Sequence, residues 1–190
     1  MSLFLVGLVI AIILVVTWAV SLYNALVRLK HAVTKAWSNI DVLLKQRHDE
    51  LPKLVATCQQ YMQHERQTLQ EVIAARNAVS SAREQHDLGA LGSAETGLRL
   101  GLGKLFALAE NYPELKANES FQFLQQRISG LENGIADRRE LYNEAVNLNN
   151  VRIEQFPDVL IARYFNFVAA EWLRFSEAET ADVDIKNLFG

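Results

Sequence analysis

The sequence predicts an all-α protein, with an N-terminal transmembrane helix continuous with a long-helix, up-and-down antiparallel bundle of the four-helix type. Three observations predict it. Residues Met1 to Val27 contain no Asp, Glu, Lys, Arg or His. Apolar residues then recur three and four apart through most of the chain, the period of helices buried on one side. With only 3 Pro and 9 Gly in 190 residues, and no tract rich in Gly, Ser and Pro, no linker to a second domain stands out.

The first element is Leu3–Leu22, LFLVGLVIAIILVVTWAVSL, marked along its length by Leu3, Gly7, Leu14, Trp18 and Leu22. At about 1.5 Å per residue it reaches roughly 30 Å, the thickness of a bilayer's hydrocarbon core. Ala19-Val20-Ser21 has the small residues of a cleavage site, but no basic residue precedes the apolar run, so an uncleaved anchor is expected. Arg28, Lys30 and Lys35 follow it, which by the positive-inside rule puts the N-terminus outside and the body in the cytoplasm. The chain thus divides into an anchor (1–27), a helical body (28–176) and an acidic tail (177–190) expected to be mobile.

The body is expected to open with one helix running to about Arg83. Its stripe passes through Leu26, Leu29, Val33, Trp37, Ile40, Leu44, Leu51, Leu54, Cys58, Met62, Leu69, Val72 and Val79, a near-heptad, coiled-coil-like spacing. Pro52 lies inside. Because the stripe keeps phase across it, a kink is expected there rather than a break capped by Asp49. A loop follows at 86–92, and Ser93 is placed to cap a second helix from Ala94 to Asn111. Gly97 and Gly101 in that helix suggest a closely packed neighbour. Asn118 is placed to cap a third helix ending near Phe156-Pro157, and Val159 to Phe175 to form a shorter fourth. Whether the chain also reverses at Pro113 stays open.

Several chemistries fail on spacing. His64-Glu65 starts a zinc-hydrolase helix, but the second imidazole's place holds Thr68. Gly97 to Lys104 mimics a phosphate loop with the first Gly one position too distant and Leu105 where Ser or Thr must hold Mg²⁺. His31, His48 and His86 are scattered, so no metal, cofactor or catalytic residue is assigned. A formal net charge of −3 without a basic face gives no reason to expect nucleic acid. The single Cys, Cys58, rules out an intramolecular disulfide.

Two groups of residues point to interactions instead. Arg47, Glu65 and Arg76 lie on the first stripe and Arg138 and Asn143 on the third helix, where buried polar groups fix register between helices. Glu65 is expected to pair with an arginine of a facing helix or another subunit, with Asn143 and Asn149 adding hydrogen bonds; an exposed edge of the stripe is the equal alternative. The second group is aromatic: Tyr164, Phe165, Phe167, Trp172 and Phe175. Packing as the fourth helix, contact with the membrane interface and contact with another subunit are the three readings.

Ordered blocks along the chain carry a resemblance. They are Tyr23-Asn24-Ala25-Leu26-Val27, Ala36-Trp37-Ser38-Asn39-Ile40-Asp41-Val42, Leu43-Leu44-Lys45-Gln46-Arg47 and Leu51-Pro52-Lys53-Leu54-Val55. Then come His64-Glu65, Ala75-Arg76, Glu110-Asn111-Tyr112-Pro113-Glu114-Leu115-Lys116-Ala117-Asn118-Glu119, Tyr142-Asn143 and Phe156-Pro157. By these the chain resembles the LemA family of small bacterial membrane-anchored proteins. The resemblance implies an anchor followed by a four-helix bundle in the bacterial inner membrane, with no established catalytic activity. A family member in magnetotactic bacteria is tied to building the magnetosome membrane, which implies membrane organisation.

The expected function is therefore a non-enzymatic helical scaffold that self-assembles as a homo-oligomer and organises or shapes the lipid bilayer. The alternative is an adaptor or regulator of another membrane protein, such as a protease or transporter.

Overall fold

The computed structural model describes residues 2–174; Phe175 and the acidic tail lie outside them. The described chain is all-helical: α1 (Ser2–Tyr61), α2 (Arg66–Gln85), α3 (Leu88–Ala109), α4 (Pro113–Lys116), α5 (Glu119–Glu154) and α6 (Asp158–Tyr164). The long apolar N-terminal helix packs against antiparallel helices, as the periodicity predicts. It resolves into two compact units. One holds the residues up to Asn39 together with Arg138–Trp172, the other Ile40–Asp137.

Helix α1 runs unbroken through Pro52, in keeping with the phase of its stripe. It does not run on to Arg83. A turn at 62–65 ends it, and α2 folds back. The backbone N–H of Met62 still donates to the Cys58 carbonyl at 2.8 Å, while Glu65 N–H turns to the Met62 carbonyl at 3.1 Å. Glu65, read as a polar position on a continuous stripe, is the cap residue of α2. The spacing misleads because Cys58, Met62, Leu69 and Val72 are all fully or almost fully buried, on opposite sides of the turn. No Gly or Pro marks it.

In the Ile40–Asp137 unit, ion pairs, hydrogen bonds and close packing fix the directions of the helices. Asp41 meets Arg83 at 2.5 Å and His48 meets Arg76, so α2 runs against α1. Glu50 meets Arg127 at 3.0 Å, and a methyl of Leu43 lies over Gly134, so α5 also runs against α1. Between α2 and α3, Glu71 accepts from Lys104 at 2.9 Å. The result is an up-down-up-down arrangement of α1, α2, α3 and α5. Reversals occur at 62–65, at 86–87 and through α4, so the chain does turn back around Pro113. Its core is made by Leu44, Leu54, Leu98, Leu105, Phe121 and Ile128, among others, all nearly inaccessible.

One helix start corrects the sequence reading. Helix α3 starts at Leu88, not Ala94, because the Asp87 carboxylate accepts from the Ala90 N–H at 2.8 Å while His86 ends α2 in the left-handed region at φ 55°. Ser93 is one turn inside the helix, donating to the Gly89 carbonyl. Of Gly97 and Gly101, a Cβ at Gly101 would touch Val72 of α2 at 3.5 Å, while one at Gly97 would meet nothing within 4 Å. A tighter approach lies at Gly134 of α5, where a Cβ would come within 3.3 Å of Leu43 of α1. The cap at Asn118 holds: its side-chain oxygen accepts from the Phe121 N–H at 3.0 Å.

In the other unit the first part of α1 meets the last part of α5, with the rings of Trp37 and Tyr142 5.9 Å apart. The predicted fourth helix, Val159 to Phe175, is cut short at Tyr164. Asn166 adopts the left-handed conformation at φ 55°, and Phe167 N–H reaches back to the Ala162 carbonyl at 2.9 Å, a Schellman-type stop. Residues 167–174 form no regular element, and Ala170 and Glu171 are held by side chains of α5. Asn150 replaces the lost helical bonds by taking the Ala170 N–H at 2.8 Å and giving to the Ala170 carbonyl at 2.9 Å. Tyr142 adds a hydroxyl donated to the Glu171 carbonyl at 2.9 Å.

Candidate functional site

The first part of α1 is apolar and outward-facing. Leu3, Leu14 and Trp18 are more than half exposed, and Gly7 has nothing near it. Among the described residues this is one helix long and apolar enough to cross a membrane. Such a surface is unfavourable in water and matched to lipid.

Where the candidate span ends, the protein closes around it. Leu22 is half-buried, and one turn on, Leu26 is fully buried against Ile153 of α5 and Ala162 of α6. Ile161 and Phe167 pack against this cluster. Tyr23 carries the contact outward, its ring centroid 4.7 Å from Phe165 and 5.8 Å from Phe167 in tilted and edge-on geometries that aromatic quadrupoles favour. Tyr164 stacks edge-on to Phe165 at 4.9 Å. Asp158, buried at the start of α6, accepts from Arg152 of α5 at 2.7 Å and ties the short helix down. Three aromatics singled out in the sequence, Tyr164, Phe165 and Phe167, thus come together with Tyr23 in a collar at the end of the candidate span. Trp172 lies farther along the non-helical segment, partly exposed.

The other singled-out residues are placed as follows. Arg47 is buried inside the bundle unit and paired with two carboxylates, Glu95 of α3 and Glu132 of α5. Burial disfavours its charge, yet the two carboxylates outweigh that and hold its pKa above the ordinary value. Its Nε is buried without a partner among the described residues. Glu65 and Arg76 are not brought together. Glu65 accepts from the Tyr112 hydroxyl at 3.4 Å, and Arg76 reaches His48. Arg138 is exposed, and Asn143 is half-buried on α5. Asn149 is buried and donates to the side chain of Asn150 at 3.1 Å.

The sequence reading missed Glu95 and Glu132, which looked like ordinary surface charges. Arg47 within a stripe was the available signal that carboxylates must face it. It also missed Tyr23, whose position just past the span was the clue to the collar. Cys58 is fully buried, and burial pushes its thiol up to about 12. This keeps it protonated and unreactive.

The model of the LemA family matches residues 36–187. Relatives are found among the magnetosome proteins of two organisms. "Magnetosome protein MamQ 2" and "Magnetosome protein MamQ 1" of Paramagnetospirillum magneticum are each 27% identical over 208 residues, covering 96% of this chain and 76% of theirs. "Magnetosome protein MamQ" of Magnetospirillum gryphiswaldense is 24% identical over 200 residues, covering 93% of this chain and 73% of its own.

Proposed function

Because the chain belongs to the LemA family, we propose that it is a non-enzymatic, single-pass scaffold of the bacterial inner membrane that self-assembles and organises the bilayer. The observation that carries this is the collar. Tyr23 and Leu26, just past the candidate span, are packed by Phe165, Ile153 and Ala162, so the span's exit is clamped by folded protein and is no loose tether. A clamp of this kind transmits the placement of the folded part to the helix in lipid.

A self-association surface is supported by α5. Leu141, Leu148 and Val151 are each more than half exposed and lie seven and three residues apart, one apolar stripe facing outward. The orientation rests on Arg28, Lys30 and Lys35, which put the folded part in the cytoplasm and the N-terminus outside. The magnetosome relatives align over nearly the whole chain, which supports a role in an organised membrane assembly here too.

Light scattering of the detergent-extracted protein tests the reading. A uniform oligomer is expected, and a monomer overturns it. A monomer that co-purifies with one stoichiometric membrane protein would establish the adaptor role in its place.

A further inference from the structure

Helix α6 has two faces. Asp158 and Ala162 are buried against the rest of the unit, while Leu160 and Tyr164, one turn apart on the other side, are 60% and 79% exposed. Phe156, just before the helix, is 76% exposed, and Val168, beyond its end, 78%. Apolar and aromatic side chains this open need an occupant. Their position identifies it. Tyr164 stacks on Phe165, and Phe165 on Tyr23, a single residue past the end of Leu3–Leu22. The first charge of the chain, Arg28, is exposed and comes five residues later, about 7.5 Å further along the helix at 1.5 Å per residue. The patch therefore stands between the end of the hydrocarbon-matched run and the first cationic residue.

We infer that the outer face of α6, with Phe156, Phe165 and Val168, inserts into the headgroup–acyl boundary beside the span. The occupant is the lipid interface itself. Tyr and Phe rings suit this layer because an apolar body enters the acyl region while a hydroxyl or ring edge stays at headgroup depth. Among the exposed side chains of this face only Arg163, between Leu160 and Tyr164, is charged; its long stem lets the guanidinium reach up to headgroup phosphates while apolar area drives the partitioning. The consequence is a second hold on the membrane next to the first. A lone helix rotates about its axis and changes tilt at little cost, whereas interfacial anchors fix both. The span plus α6 sets the rotation of α1 in the bilayer.

The inference rests on reading Leu3–Leu22 as a span, and the test separates the two. In the full chain, single spin labels are placed by Leu160→Cys, Tyr164→Cys, Leu14→Cys and Ser38→Cys, and the protein is reconstituted in phosphatidylethanolamine–phosphatidylglycerol vesicles. Cys58 is fully buried and stays unlabelled. Collision with oxygen, which concentrates in lipid, is compared with collision with a water-soluble nickel chelate. Labels at 160 and 164 are expected to favour oxygen, less strongly than 14, while 38, exposed and well past the collar, favours the chelate. If 160 and 164 behave like 38 while 14 is in lipid, the interfacial contact is overturned and the span stands. If both reagents are shielded from 160 and 164, the face is covered by protein, which also overturns it. If 14 itself favours the chelate, the span reading fails first.

Discussion

The Arg76 guanidinium donates from Nε to the backbone carbonyl of His48 at 2.9 Å. That carbonyl is four residues before Pro52, whose ring nitrogen has no hydrogen to give it. A side chain of α2 thus supplies the bond that a proline in the interior of α1 removes. The same guanidinium reaches the His48 ring nitrogen Nε2 at 2.6 Å, so one arginine covers both ends of the residue. It also explains how α1 continues through Pro52 with Leu51 and Leu54 buried on either side.

A mutant cycle on Pro52 and Arg76 follows from this. Arg76→Ala leaves the half-buried carbonyl short of a donor and is expected to cost about 1–3 kcal/mol. Pro52→Ala restores the helical N–H, so in that background Arg76→Ala should cost less, with a coupling of about 1 kcal/mol. Thermal unfolding of the four proteins in detergent, followed by circular dichroism, measures it. Additive effects would show that the guanidinium does not serve the proline's orphan.

His48 predicts a pH dependence. Burial first, then the positive charge of Arg76, lowers its pKa below the ordinary 6.5. The folded state therefore holds His48 neutral, while the unfolded chain protonates near 6.5. Between those values the unfolded state binds more protons, so stability is full above about pH 6.5 and declines as pH falls toward the lowered folded value. His48→Gln, which keeps a hydrogen-bond acceptor but does not titrate, should flatten the unfolding midpoint between pH 7.5 and pH 5.5. An equal decline in both proteins would assign the effect elsewhere.

Arg47 is the costliest position to break. Arg47→Met leaves Glu95 and Glu132 facing one another without their cation, and about 3–5 kcal/mol of stability should be lost. Replacing all three residues with apolar ones of similar volume should recover most of that loss. If the triple variant is stable but loses its uniform oligomer mass in light scattering, the triad sets register rather than stability.

The sequence carried much of this and hid the rest for identifiable reasons. The candidate span was visible in the absence of charge, and the Asn118 cap in its residue type. The turn at 62–65 was invisible because its flanking apolar residues keep helical spacing and no Gly or Pro interrupts them. Arg47 could be seen to be out of place, but its partners could not, since Glu95 and Glu132 are surface-like in one dimension and buried or half-buried in three. The early end of α6 was in principle legible: an Asn followed by a large apolar residue is the composition of a left-handed helix stop, and Asn166-Phe167 has it.

The stripe on α5 makes a prediction about assembly. Leu148→Asp and Val151→Asp together place two charges on a surface that the folded chain leaves exposed, so the monomer's stability should change by less than about 0.5 kcal/mol for each. The assembled form is different, because a charge enclosed between copies loses its hydration. Light scattering in detergent should then report the monomer mass with an unchanged unfolding midpoint. Retention of the wild-type mass would move the self-association surface away from α5.

The collar changes what a linker experiment measures. A Gly/Ser insertion after Val27 interrupts the backbone of α1, yet Tyr23 and Leu26 lie before it and remain packed on Phe165, Ile153 and Ala162. The span is then still held through side chains, so the insertion alone is expected to leave residues 20–26 protected in hydrogen exchange. Leu26→Ala removes the fully buried member of the cluster, at about 2–5 kcal/mol for a leucine-to-alanine change in a packed core. With the insertion present, that substitution should release the span, and exchange across residues 20–26 should rise together with the mobility of a label at Leu14. If the insertion alone releases it, the backbone carries the coupling and the collar is only a cover. If neither change does, the hold lies in the bilayer, at the outer face of α6.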